Sequence, residues 1–327
     1  MSDAPLICIG NAIVDVISKA DDAFLEEQDL VKGSMRLIDA DEATSLYRKM
    51  GPGQESSGGS GANTAAGIAA LGGAVHFIGR VAEDQLGEVF GHDIRSAGVT
   101  FTTPPSSSGL PTARCLICVT PDAQRTMSTF LGTSAELSEA DVDYDAVAAA
   151  PLTYLEGYLW DAPDARAAMV KARDTARAAG RRVSFTLSDT FCVERHHDDF
   201  RELASGGVDL LFANEAELKA LHKTDDFDTA ATAQRGACEI SVVTRSEKGA
   251  VVLTKDDYIE VPAQLTGRIV DTTGAGDLFA AGFLAGIQDD RPLRDCAVLG
   301  TVAAGEVISH FGARPQTDLK ALAAKLL

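Results

Sequence analysis

The sequence predicts an α/β protein whose central, mostly parallel sheet is covered by helices on both faces. Two observations carry this expectation. Short apolar strands rich in Leu or β-branched residues alternate with alanine-rich helices along 327 residues, the order of strand–helix–strand units. No Pro-, Gly- or Ser-rich linker long enough to separate independent domains interrupts them.

Taken in order, the first strand covers residues 5–9, and an alternating, charged stretch at 11–39 follows it. A helix is expected at 61–71 and a strand at 75–78, after which 100–131 breaks the rhythm again. That stretch reads as two strands joined by the turn at 121–124, with apolar and polar residues alternating as in an antiparallel pair. Strands then recur at 152–155, 183–187, 209–213 and 240–244, with helices at 164–179, 215–221 and 275–287. In the helix at 164–179, Ala165, Ala168, Met169, Ala172, Ala176 and Ala179 form an apolar stripe opposite Arg166, Lys171, Arg173 and Arg177. The two irregular stretches predict a small second sheet over the edge of the main one. We expect one domain over 1–327, with a lid built from insertions at about 12–39 and 100–131.

Charge narrows the partners. With 29 Lys and Arg against 48 Asp and Glu, the net charge is −19, which opposes binding to nucleic acid or an anionic membrane. The longest apolar runs, 65–75 and 278–287, fall short of the ~20 residues of a membrane span. The N-terminus has no basic region of a secretory signal, and six scattered cysteines fit a reducing compartment, so the expected location is the cytoplasm. Cys115 and Cys118 form a C-x-x-C, but on a strand they point to opposite faces. The His196–Asp199 run HHDD reads as a solvated helix face.

Three glycine-containing motifs remain. Asp271-Thr-Thr-Gly274-Ala275-Gly276-Asp277 leads directly into a helix; its N–H groups and the helix dipole suit an anion such as phosphate. Asp277, in the first turn, either caps the helix or accepts a proton from an attacking hydroxyl. Gly58-Gly59-Ser60-Gly61-Ala62-Asn63 also precedes a helix, and is either a plain turn or a site for a polyhydroxylated ligand. Asn11 and Asp15 follow the first strand, at the end of an open α/β sheet where ligands bind. Signatures of a Walker loop, a dinucleotide fold, a zinc peptidase and an α/β-hydrolase are all missing.

Together these motifs resemble the ribokinase/pfkB family of carbohydrate and nucleoside kinases, and within it the adenosine kinase branch. IGRVAEDQLG at 78–87, NEAE at 214–217 and TRSEKGA at 244–250 extend the likeness across most of the chain. Ser60, where ribokinases usually carry a lysine, FTLSDTF at 185–191 and the stretch at 21–39 are similar to the nucleoside branch. The resemblance implies a ribokinase-like fold with a β-sheet lid, and ATP-dependent phosphorylation of the 5′-hydroxyl of adenosine with Mg2+. It implies Asp277 as base, Gly274, Ala275 and Gly276 as anion hole, and Arg125 at the transferred phosphate. Asn11, Asp15, Gly59, Ser60 and Asn63 would meet the ribose, and Leu37, Met127 and Phe191 the base. Asn214, Glu217, Thr244, Gly249 and Thr272 would serve the nucleotide and a magnesium ion held mainly by nucleotide and waters. One departure stands out: Ser246 replaces a glycine in the loop Thr244…Gly249. The alternatives are a sugar kinase acting on ribose, fructose or a relative, and a non-catalytic nucleoside-binding regulator, against which Asp277 speaks. The lid could cover its own site or pair with another lid in a homodimer.

Overall fold

The computed structural model describes residues 4–122 and 124–326. Its strands run in chain order as β1 (Leu6–Ile9), β2 (Ile13–Lys19), β3 (Met35–Leu37), β4 (Gly53–Gly58), β5 (Val75–Ile78), β6 (Thr100–Phe101), β7 (Ala113–Val119), β8 (Arg125–Phe130), β9 (Leu152–Glu156), β10 (Arg182–Thr186), β11 (Leu210–Asn214), β12 (Ile240–Thr244), β13 (Ala250–Leu253) and β14 (Tyr258–Val261). Among the described residues, the large sheet has the order β14-β13-β12-β11-β10-β9-β1-β5-β6 and the small one β3-β8-β7-β2-β4. The large sheet is parallel from β12 to β6, while β13 and β14 extend it antiparallel. The six expected strands and four expected helices all form, each within one residue of its expected bounds.

Strand parity builds the core. Cys8, Phe77, Tyr154, Phe212 and Val242 face helices Ser60–Ala70, Ala275–Gln288 and Leu293–Val307. Their neighbours Ile7, Ile78, Leu155, Phe185, Leu211 and Val243 face helices Pro163–Ala178 and Glu215–His222 on the other side. Burial on both sides explains why these strands read as unbroken apolar runs. The stripe on Pro163–Ala178 is buried at Ala165, Ala168, Met169, Ala172 and Ala176, whereas Ala179 is exposed because the helix has ended there.

The small sheet departs from expectation in two ways, by recruiting β4 and by losing β6. It recruits β4, outside both insertions, which pairs antiparallel with β2 from Ile13↔Gly58 to Ser18↔Gly53. β2 and β7 are parallel, and β6 joins the large sheet instead. The β7–β8 hairpin forms with Val119 opposite Arg125; Ala123 of its turn lies outside the described residues. Val14, Val16, Leu116 and Cys118 pack on the outer side against Leu25, Ala43 and Leu46 of two short helices. Ile13, Ile17, Cys115, Ile117, Val119 and Met127 form the inner face, so Cys115 and Cys118 do point to opposite sides. HHDD is less solvated than expected: His196 Nε2 lies 2.6 Å from Asp161, and Asp199 accepts from Trp160 at 2.8 Å. No helix among the described residues is long and apolar enough to cross a membrane.

Candidate active site

In the large sheet β1 lies between β9 and β5, so the chain reverses its direction of winding there. Such a switch point opens a crevice at the carboxyl ends of the strands. The inner face of the small sheet covers it, enclosing a cavity of about 440 Å³. Asp15, Gly59, Ser60, Asn63, Met127, Asn214, Glu217, Thr244 and the Thr272–Asp277 loop all line this cavity.

Asp277 is its centre. Gly274 takes φ +75 at the N-cap of helix Ala275–Gln288, a left-handed turn that glycine adopts without strain. That turn sets Asp277 in the first helical turn, where the N–H groups lack intrahelical partners. Its Oδ1 accepts from Ser60 Oγ at 2.7 Å and its Oδ2 from Asn63 Nδ2 at 2.9 Å. Burial raises the pKa of Asp277, opposed by those two hydrogen bonds and the charge of Arg314. The Asn63 side chain has its Oδ1 buried without a hydrogen-bond partner among the described residues.

Asp15 projects from β2 toward the same space. A Cβ at Gly58, its diagonal neighbour on β4, would collide with the Asp15 carboxylate and push it from this position. Burial pushes Asp15 up to about 6, against the pull of Arg314 and Arg125 and with the push of Asp277 and Asp271. Arg125, at the lid tip, reaches across to the anion loop and pairs with Asp271 and Thr273. Asn214 and Glu217 bind each other as the capping box of helix Glu215–His222. Burial pushes Glu217 up to about 7.

Four expected contacts lie elsewhere. Asn11 is turned away from the cavity, its Nδ2 donating to Glu156 Oε1 at 2.8 Å. Glu156, at the end of β9, also accepts from the N–H groups of Asn11 and Gly61 at 3.2 and 2.6 Å, and so ties two of the motifs together. Leu37 is 51 % exposed on the edge strand β3. Phe191 stands behind Tyr158, with ring centroids 5.9 Å apart, and it is Tyr158 that reaches the cavity. Gly249 holds the loop after β12 at φ +89 without lining the cavity, and Ser246 in that loop takes φ +50, the left-handed region natural to the glycine it replaces. Ile13, Ile117, Thr129 and Tyr158 are lining residues that no motif marked, and Cys115, noted only for its C-x-x-C, lines the cavity too. An aromatic just beyond a strand end, Tyr158 after β9, was the one available signal.

The sequence profile of the pfkB family carbohydrate kinases matches residues 6–319. A structure described as the adenosine kinase from Sinorhizobium meliloti is 49% identical, with a TM-score of 0.93 over 99% of each chain. One described as a probable sugar kinase protein from Rhizobium etli CFN 42 is 48% identical, with a TM-score of 0.94 over 100% of this chain and 99% of that one. The 5-dehydro-2-deoxygluconokinase of Geobacillus kaustophilus is 30% identical over 77% of this chain and 78% of its own length.

Proposed function

This chain belongs to the pfkB family of carbohydrate kinases, phosphotransferases with alcohol acceptors, and from that premise we propose that it transfers phosphate from ATP to the 5′-hydroxyl of adenosine. The observation that carries the reading is the two-sided character of the cavity. The carboxylates of Asp15 and Asp277, the Ser60 hydroxyl and the Asn63 amide face an apolar wall of Ile13, Ile117 and Met127, with Tyr158 at its side. A ribose satisfies the polar half; only a base attached to it gives the apolar half something to bury.

In this reading Asp277 accepts the proton of the attacking hydroxyl, and Ser60 and Asn63 fix its orientation. Asp15 holds the ribose hydroxyls. The N–H groups in the first turn of helix Ala275–Gln288 and the Arg125 guanidinium meet the charge spread over the transferred phosphate. ATP approaches from the side of Asn214, Glu217 and Thr244. Glu217 already receives two N–H groups from Asn214, so it suits contact with a magnesium ion through water. Bound with the nucleotide, that ion would neutralise phosphate charge. The small sheet covers its own site, and its outer side is taken up by helices Asp22–Glu27 and Ala40–Lys49; we therefore propose that the lid does not pair with a second copy. Steady-state turnover of adenosine, inosine, guanosine, ribose and fructose with ATP and magnesium tests the reading. Adenosine as the best acceptor supports it, and a sugar as the best acceptor replaces it with the sugar-kinase reading.

A further inference from the structure

Arg314 belongs to none of the motifs, yet its charge acts on both carboxylates of the site. It lies in the segment that follows helix Leu293–Val307. Glu306 Oε1 anchors this segment by accepting from the N–H groups of Gln316 and Thr317, each at 3.0 Å. The N–H of Gly312 donates to Asp271 at 2.9 Å, fastening the segment to the anion loop. The third anchor is the Arg314 side chain. Its Nε donates to the Ser57 carbonyl at 3.1 Å, its Nη2 to Ser57 Oγ at 2.8 Å and its Nη1 to the Ala62 carbonyl at 2.5 Å. Ser57 and Ala62 flank the Gly58–Gly61 turn, so one guanidinium grips both ends of the loop that presents Ser60 and Asn63. Ser57 is itself held by Asp93, which accepts from its N–H and its hydroxyl.

The use of the guanidinium is unusual. A planar fork of this kind is ordinarily matched to a carboxylate, but here its hydrogen bonds go to two carbonyls and a hydroxyl. Its charge is answered through space by Asp93, Asp15 and Asp277. We propose that Arg314 is a positioning residue for phosphoryl transfer: it clasps the acceptor loop at Ser57 and Ala62, which holds Ser60 and Asn63 against Asp277 and fixes a positive charge beside that loop. The proposal rests on the kinase reading of Asp15 and Asp277.

The surrounding charges agree. Burial lowers Arg314 to about 10, which leaves it charged at neutral pH. It is the strongest influence opposing the upward push of burial on Asp15, ahead of Arg125, while Asp277 and Asp271 push Asp15 further up. At Asp277 it acts alongside the hydrogen bonds from Ser60 and Asn63. On its other side Arg314 borders a separate hollow of about 1080 Å³, so a shorter side chain leaves a water-accessible gap instead of a dry void.

Profiles of kcat/KM against pH test the role, measured with adenosine (or the best acceptor of the panel) for wild type, Arg314→Gln and Arg314→Lys. Arg314→Gln removes the charge, so the carboxylates ionise later and the acid limb moves up by roughly half to one pH unit. Arg314→Lys keeps the charge and loses the fork. Its acid limb stays in place while the KM for the acceptor rises about tenfold and that for ATP is unchanged. An Arg314→Gln limb superimposed on wild type overturns the proposal, as does an Arg314→Lys limb that moves. Melting curves show whether each variant folds; if Arg314→Gln does not, the limb and KM of Arg314→Lys decide alone. Wild-type turnover tests the kinase reading by itself, and only the difference between wild type and variants tests Arg314.

Discussion

Replacing Asp277 by asparagine separates its capacity to take a proton from its place in the hydrogen-bond network. In the wild type both oxygens accept, one from Ser60 and one from Asn63. The substituted side chain can turn its remaining oxygen to the Asn63 amide, which must donate. The Ser60 hydroxyl can rotate to accept from the new amide nitrogen. Both contacts survive, and the carboxylate charge whose burial raises the pKa of Asp277 is gone, so Asp277→Asn should melt at or above the wild-type temperature. What it loses is the acceptor for the hydroxyl proton, a change of about 10²–10⁴-fold in rate, or about 2.7–5.5 kcal/mol in barrier. Turnover followed by ADP release should therefore collapse, with KM for ATP nearly unchanged, and the acid limb of the residual rate should keep only the contribution of Asp15. A folded Asp277→Asn enzyme with near wild-type turnover would refute this reasoning, because proton removal would then not pass through Asp277.

Tyr158→Ala should weaken adenosine by about 10- to 100-fold, the range of burying one large apolar side chain; Phe191→Ala, acting only through the Tyr158 ring, should cost less, and the reverse order in kcat/KM contradicts the placement of the base. Asp15→Ala removes charge-assisted hydrogen bonds of about 1.5–3 kcal/mol each, so acceptor KM should rise far more than ATP KM, and an equal rise would make Asp15 structural. Ser246→Gly relieves a left-handed backbone costing about 1–2 kcal/mol, part of which glycine gives back as chain entropy; a small rise in Tm is expected, and a fall contradicts it. Stability should also decline from pH 6.5 to 8. Glu156 and Glu217 are pushed to about 7, well above an unfolded carboxylate, so the folded state binds more protons and loses stability as pH rises through their pKa values. His76 and His222, lowered by burial, act in the opposite sense but only below about pH 6.5. A Tm that climbs over this interval contradicts the assignment.

The strands of the large sheet were legible because burial on both faces demands continuous apolar residues, as in Ile240–Thr244. β4 was not. Its sequence Gly-Gln-Glu-Ser-Ser-Gly has weak strand preference, and pairing with β2 imposes the conformation. In the site, Asp277, Ser60 and Asn63 were legible because glycine turns before helices mark them. Glu156, Tyr158 and Arg314 were not, since each is a single residue that topology carries in from a distant part of the chain. Arg314 meets Ser57 across 257 positions. Leu37 and Phe191 show the converse: the resemblance brought them to the right neighbourhood, but edge exposure and an intervening Tyr158 ring keep them off the cavity wall.

A competition assay tests the central claim most directly. Adenosine and ribose at equal concentration share one reaction with ATP, magnesium and the enzyme, and the two phosphorylated products are separated by chromatography. Their early ratio equals the ratio of kcat/KM values. Asp15, Ser60 and Asn63 can read the hydroxyls of either molecule, so the ratio reports the apolar wall and Tyr158 alone. Burying the base against two or three such side chains, at about 1.5–3 kcal/mol each, predicts AMP in excess by about two orders of magnitude or more. Comparable amounts of the two products, or an excess of ribose phosphate, contradicts the account.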